Sequence, residues 1–316
     1  MPLTLARWLA AGLIALGFTL AVCCDLQQSS GAAGIGAASR LAPSPGCEHR
    51  PATGASDKNS TEGTTLNAGP VTGSYSLTFP RSYRPGHPMP LILLFYGFGS
   101  NPSQFSALTD LPSRGSAHGY LVAVPHAQGS EWQFSGNGTD AIFVSSLVDK
   151  IESTYCVDTT RVFAAGFSAG AAFTIIYACS HPGQIAAIGT VAVEFQLGCS
   201  RPLSIMAFHG TKDPLVPYQN GAIGLSLPGV KVRGTQLNMS DWARLDHCQS
   251  KPRKKRIGTQ VTRQLWTGCT KRTRVVLYSI VGGGHSWPGA NSKDSVGLTT
   301  QQISATAEIL EFFSHS

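Results

Sequence analysis

The chain has no C-x-x-C pair, no internal repeat, and no apolar run past residue 22 long enough to cross a bilayer. Charge is sparse as well: 13% of the 316 residues are Asp, Glu, Lys or Arg, against 42% hydrophobic. These absences exclude a Cys-pair zinc module, a solenoid and a multi-span membrane protein. No recognisable nucleic-acid module accompanies the net charge of +7, so no nucleic-acid partner is expected. What the chain does have is glycine and proline, 35 and 19, which mark many tight turns rather than disorder.

The N-terminus reads as a targeting segment. Arg7 precedes fifteen apolar residues, Trp8 to Val22, which match a signal-peptide core and are short for a span. Leu20-Ala21-Val22-Cys23 resembles a bacterial lipobox, although Val22 is larger than the small residue usual before the modified Cys. Cys23 is therefore the lipidation candidate, with a plain secreted product or a retained signal anchor as alternatives. Residues 1–24 are assigned to the signal, 25–46 to a flexible Ser/Gly/Ala/Pro tether, and 47–316 to one catalytic domain.

Within that domain strands alternate with helices. Leu91–Phe95, Gly119–Val124, Val162–Ala165, Ile185–Val193, Leu203–Phe208 and Val275–Val281 read as strands, and Asp140–Thr154 and Ser304–Phe313 as helices. The alternation argues for an α/β domain with a mostly parallel sheet covered by helices on both faces.

The most informative stretch is Gly166-Phe167-Ser168-Ala169-Gly170, a G-x-S-x-G sequence. A short apolar strand precedes it and a helix-compatible run follows, the context of a nucleophile elbow. The turn strains the Ser backbone, exposes its hydroxyl, and aims the N–H of Ala169 at a developing oxyanion. An ordinary Gly/Ser turn is the competing reading.

A nucleophilic serine needs a base, and the base an orienting acid. In chain order the acid and then the His follow the Ser. Asp213 lies just past the strand Leu203–Phe208, and His285 just past the strand Val275–Val281, in Gly282-Gly283-Gly284-His285-Ser286-Trp287. Strand-end loops are where open α/β sheets place functional groups. The expected triad is Ser168, Asp213, His285. His209, four residues before Asp213, is the competing base and is assigned to a backbone bond instead.

Tyr155 to Val162, Gly166 to Gly170, His209 to Tyr218 and Gly283 to Gly289 together resemble the polyhydroxybutyrate depolymerase-like esterases, with secreted feruloyl and acetyl xylan esterases and actinobacterial esterase lipoproteins. The resemblance runs from about Gly46 to Glu311-Phe312-Phe313. It implies an α/β-hydrolase fold, hydrolysis of carboxylic esters, and the same three residues in the same roles. One position departs from it. The family usually has His-Gly after the strand that supplies the second oxyanion donor, and here Tyr96-Gly97-Phe98-Gly99 follows Leu91–Phe95. A backbone donor does not depend on the side chain at 96, so the N–H of Phe98 is expected to complete the hole with that of Ala169.

Six cysteines remain after Cys23 and Cys24, an even number that fits three disulfides in an oxidising compartment. Cys248 with Cys269 is the favoured pair, Cys156 with Cys179 the next, and Cys47 with Cys199 follows by elimination. Buried free thiols are the alternative. Lys251, Arg253, Lys254, Lys255, Arg256, Arg263, Lys271, Arg272 and Arg274 cluster around the favoured pair. They read as a solvated loop closed by the disulfide, or as a surface attracted to anionic envelope polymers.

The expected chemistry is two-step acyl transfer to water without metal or organic cofactor. Phe98, Phe134, Phe195 and Trp287 are candidates for lining an acyl pocket, or for ordinary packing. Feruloyl, acetyl, polyhydroxyalkanoate and short-chain lipid esters stay open as substrates. An envelope acyltransferase using the same triad and an inert glycan-binding relative are the alternative functions.

Overall fold

Leu91, Ile92, Leu93, Leu94 and Phe95 are all fully buried. Five consecutive buried residues in a strand require cover on both faces of the sheet. The computed structural model describes residues 41–48, 60–196, 198–223, 231–291 and 296–316, and it supplies that cover. The candidate signal, Cys23 and most of the expected tether lie outside the described residues.

The strands are β1 (Ser60–Ala68), β2 (Val71–Thr78), β3 (Met89–Phe95), β4 (Leu121–Pro125), β5 (Val157–Phe167), β6 (Ala187–Val191), β7 (Ser204–Gly210), the two-residue β8 (Gly221–Ala222) and β9 (Lys231–Val232), β10 (Arg253–Ile257), β11 (Val261–Trp266) and β12 (Val275–Ile280). All but β8 and β9 form one ten-stranded sheet in the order β1-β2-β4-β3-β5-β6-β7-β12-β11-β10. The six strands from β4 to β12 in that order are parallel. The antiparallel hairpins β1–β2 and β10–β11 close its two edges.

The helices are α1 (Pro102–Thr109), α2 (Leu111–Ala117), α3 (Thr139–Thr154), α4 (Ala169–Ser180), α5 (Thr235–Leu245) and α6 (Ala305–Ser314). Phe163 pairs with Ile92, three residues before Phe95, so by the period of two Phe163 and Phe95 point to opposite faces of the sheet and meet different helices. Phe163 of β5 stacks on Phe313 of α6, while Phe95 of β3 packs edge-on against Phe173 of α4. Among the described residues, no helix is long and apolar enough to cross a membrane.

Three expectations are corrected. Residues 41–46 are part of the fold. Ser44 N–H donates to the Val157 carbonyl, Thr159 N–H donates to the Ala42 carbonyl, and Ser44 Oγ donates to the Tyr155 carbonyl. Low-complexity composition hid a segment that pairs with the start of β5. That pairing also overturns two disulfides: Cys47 is bonded to Cys156, and Cys179 to Cys199, rather than Cys156 to Cys179 and Cys47 to Cys199. Cys156 and Cys179 flank β5 and α4, but α4 carries the chain on toward β6. Its last turn therefore meets the loop between β6 and β7, which holds Cys199. Cys248 is bonded to Cys269.

The third correction concerns the basic segment, which is an edge hairpin rather than a loop. Ile257 pairs with Val261 across a three-residue turn in which Gly258 takes a positive φ of 55°. Four consecutive cations, Arg253 to Arg256, are all exposed and hid the strand because they show no alternation. Charge on an outer strand is a recognised protection against edge-to-edge pairing.

Candidate active site

β5 delivers the chain to Ser168, and α4 begins at the next residue. Ser168 takes φ 54° and ψ −120°, a region a side chain enters only when the surroundings force it. The flanking glycines show what forces it. A Cβ on Gly166 would strike the Gly170 carbonyl and the Thr174 hydroxyl, and one on Gly170 would strike the Phe95 and Tyr96 carbonyls. Strand, helix and the end of β3 therefore approach closely only with glycine at both places. Ser168 N–H donates to the Val191 carbonyl at 2.9 Å, which pins the turn to the end of β6.

Asp213 and His285 lie on the loops that leave β7 and β12. These two strands are neighbours in parallel register, and Gly210 pairs with Ile280. The loops are tied together: Lys212 N–H donates to the Gly283 carbonyl and Gly282 N–H to Thr211 Oγ1, each at 2.8 Å. The backbone of His285 is clamped from the far side, where its N–H donates to the Val296 carbonyl at 2.7 Å.

The outcome is a hydrogen bond of 2.7 Å between His285 Nδ1 and Asp213 Oδ2. A carboxylate only accepts, so Nδ1 donates to Asp213, and Nε2 is left as the ring nitrogen available for proton exchange. Asp213 Oδ1 accepts from the N–H groups of Leu215 and Val216, both at 2.9 Å, which fixes the carboxylate plane. The Phe167 ring lies 4.8 Å from the His285 ring, so the imidazole stands beside the elbow.

The loop after β3 reaches the same place. A Cβ built on Gly97 would sit 3.4 Å from Ser168 Cβ, in van der Waals contact. Phe98 is the next residue in that loop and is 58% exposed. Ala169, at the first position of α4, has one of the amides that a helix leaves without an internal partner. Tyr96 is buried, and its role is structural. Its hydroxyl accepts from Ala127 N–H at 2.9 Å and its carbonyl accepts from Trp132 Nε1 at 2.8 Å, holding the loop after β4 against the end of β3. Burial raises the pKa of its phenol above the ordinary value.

The other aromatic candidates separate. Trp287 is core: it is buried, donates to Thr306 Oγ1 and packs edge-on against Phe105. Phe195 packs partly buried against the core, and Phe134 is exposed.

His209 does more than bond the backbone. Its Nε2 meets the Val216 carbonyl at 2.9 Å, and its Nδ1 meets Glu194 Oε2 at 2.6 Å. Glu194 escaped the sequence reading. Its signal was a lone carboxylate directly after the apolar run Val191-Ala192-Val193, where a charge is retained only with a partner. Among the described residues, no group of three or more His, Cys, Asp or Glu side chains is arranged to hold a metal.

A model of the family described as Esterase PHB depolymerase matches residues 73–216, a span that holds Ser168 and Asp213 and stops before His285. Feruloyl esterase B of Piromyces equi is 27% identical over 225 residues, 66% of this chain and 41% of that protein. Feruloyl esterase D of Neurospora crassa is 26% identical over 262 residues, 78% of this chain and 83% of that protein. Over these spans the chain is similar to PHB depolymerase-like and feruloyl esterases. Its α/β-hydrolase fold is that of an acetyl xylan esterase from Aspergillus awamori, whose structure superposes with a TM-score of 0.57 at 15% identity, covering 82% of this chain and all of that one. The chain spans less than half the length of the first of these relatives and most of the second.

Proposed function

We propose that the protein is a serine carboxylic ester hydrolase in which Ser168 is the nucleophile, His285 the general base and Asp213 the group that orients it. The observation that carries this reading is the 2.7 Å bond from His285 Nδ1 to Asp213, with the imidazole beside a serine held in a strained elbow. His285 Nε2 takes the Ser168 proton as Oγ attacks the ester carbonyl, and returns it to the departing alcohol. Asp213 keeps the proton on Nδ1 and stabilises the imidazolium that forms. The N–H groups of Ala169 and Phe98 receive the oxyanion, each lowering the barrier by roughly 3 kcal/mol. Water, activated by the same His285, then releases the acid and frees the serine.

The substrates we propose are esters with small or aromatic acyl groups: feruloyl, acetyl, short hydroxyalkanoate or other short-chain acyl. The names of the relatives support the first two, and the exposed Phe98, next in the chain to the Gly97 that abuts Ser168, supports an acyl group that stacks or packs there. Work outside the cell or in its envelope is supported by three disulfides, which persist in an oxidising compartment. Anchoring through lipidated Cys23 belongs to the same proposal and rests on the N-terminal sequence alone.

The test is to expose purified protein to a fluorophosphonate and to chromogenic esters of graded chain length, with methyl ferulate alongside. Covalent labelling at Ser168 and turnover of at least one ester series are expected. A protein that is folded, unlabelled and inert to every ester would overturn the proposal.

A further inference from the structure

We propose that His209 is a positioning residue for the proposed Asp213–His285 pair: a charged imidazolium at neutral pH, held by Glu194, that balances the buried Asp213 carboxylate and keeps His285 a free base. The proposal rests on the triad reading above and extends it to two residues outside the triad.

The hydrogen-bond inventory of His209 carries it. Nε2 faces the Val216 carbonyl at 2.9 Å and Asp213 Oδ2 at 3.6 Å. Both are acceptors, so Nε2 bears a proton. Nδ1 faces Glu194 Oε2 at 2.6 Å, and a carboxylate is again an acceptor. Thr235 Oγ1, at 3.0 Å from Nδ1, is a hydroxyl and adapts by rotating. Protons on both ring nitrogens make the ring a cation. Burial works against that charge, but attraction and hydrogen bonding from Glu194, the Val216 carbonyl and Asp213 together outweigh it and raise its pKa above the ordinary histidine value.

The surroundings leave little else to balance these charges. The side chains of His209, Glu194 and Asp213 are 1%, 3% and 0% exposed. The groups packed on the ring are Glu194 after β6, Asp213 and Val216 after β7, Thr235 of α5, and the edge of the Tyr218 ring. Asn238 of α5 donates to Glu194 Oε1, and the Tyr218 hydroxyl is engaged with Ser279 and Gln236. The row of titratable side chains is thus Glu194, His209, Asp213, His285. Two buried carboxylates with one imidazolium between them leave a single net negative charge for His285 to face. Had His209 been neutral, His285 would face two, and would hold a proton to a higher pH. A resting His285 that is already protonated cannot take the proton of Ser168.

The experiment has two arms. In the unaltered protein, the ring nitrogens of His209, assigned by comparison with His209→Gln, are followed by nitrogen NMR between pH 5 and 9. Both are expected to be protonated at pH 7 and below. A neutral ring at pH 7 overturns the proposal, whatever the activity proves to be.

The second arm uses His209→Gln, which removes the imidazolium and leaves both carboxylates in place, with His209→Asn as the alternative should that variant not fold. The rate of fluorophosphonate labelling of Ser168 is followed against pH. The acid limb is expected to move up by about one pH unit, so that labelling at pH values below the parent's limb falls about tenfold and recovers in more alkaline buffer. A merely structural role would instead lower the rate equally at every pH, and an unmoved acid limb with a uniform loss overturns the proposal. Absence of any labelling in the unaltered protein would count against the triad itself, while the NMR arm still decides the charge on His209.

Discussion

Gly170 packs its Cα against the carbonyl oxygen of Phe95, so that α4 and the end of β3 meet with no room for a side chain. Gly170→Ala would drive a methyl group into two backbone carbonyls that cannot rotate away. A loss of about 3 kcal/mol is expected, at the upper end for overpacking. A chemical melt reads it directly, and a variant as stable as the parent would show that the elbow relaxes more than the packing allows.

Ser168→Ala should leave that packing untouched, because the elbow is set by its glycines. Hydrolysis of short activated esters is expected to fall by about 10⁴-fold or more, with an unchanged circular dichroism spectrum. More than a few per cent of residual activity in folded protein would remove Ser168 from the role of nucleophile.

His285→Ala should lose nearly as much as Ser168→Ala, because nucleophile and base act as a unit. His209→Ala should lose far less, since it stands behind Asp213 rather than against the substrate. Steady-state kcat/KM for the two variants on one ester orders them. A dead His209 variant beside an active His285 variant would reverse the assignment of the base.

The Cys248–Cys269 bond closes a loop that contains the whole β10–β11 hairpin. By loop-closure entropy a ring of this size contributes about 3 kcal/mol. Reduction should lower the melting temperature. It should also lower activity, because β11 pairs with β12 and β12 leads to His285. Peptide mapping without reductant, followed by assays of selectively reduced protein, separates the two effects. Unchanged activity would make the disulfide a staple only.

Asp246 gives a pH signature. It is buried, and one carboxylate oxygen accepts from Leu203 N–H. Burial pushes its pKa up to about 6 from an ordinary 3.8. A raised carboxyl pKa means that the folded state binds the proton more tightly than the unfolded chain. The contribution is therefore fully present below the unfolded value and is lost as pH rises through about 6. Relative to Asp246→Asn, the parent should gain stability as pH falls from 7.5 to 5. Parallel urea-melt midpoints for the two proteins across that range would exclude Asp246 as the source.

The elements that build the site were legible because each carries a local signature. Leu91–Phe95, Val162–Ala165, Leu203–Phe208 and Val275–Val281 are apolar runs that mark buried strands, and Gly166 to Gly170 is a turn whose sterics are written in its glycines. The order of Ser168, Asp213 and His285 along the chain, set at strand ends, was enough to nominate them. Other features depended on neighbours distant in sequence. The edge strand β10 is four cations with no alternation and is a strand only because β11 pairs with it. Residues 41–46 look like tether and become structure only against the start of β5. Cys47 finds Cys156 through that same pairing, and Cys179 finds Cys199 because α4 carries it there. Glu194 and His209 lie 15 residues apart and read separately as a stray carboxylate and a strand-end histidine. Composition and periodicity determined which segments would be buried and where the turns would fall, because those depend on each residue's own side chain. The tertiary structure decided which buried groups share one pocket of low dielectric, because proximity across β6, β7 and β12 follows from strand order, which no local pattern encodes.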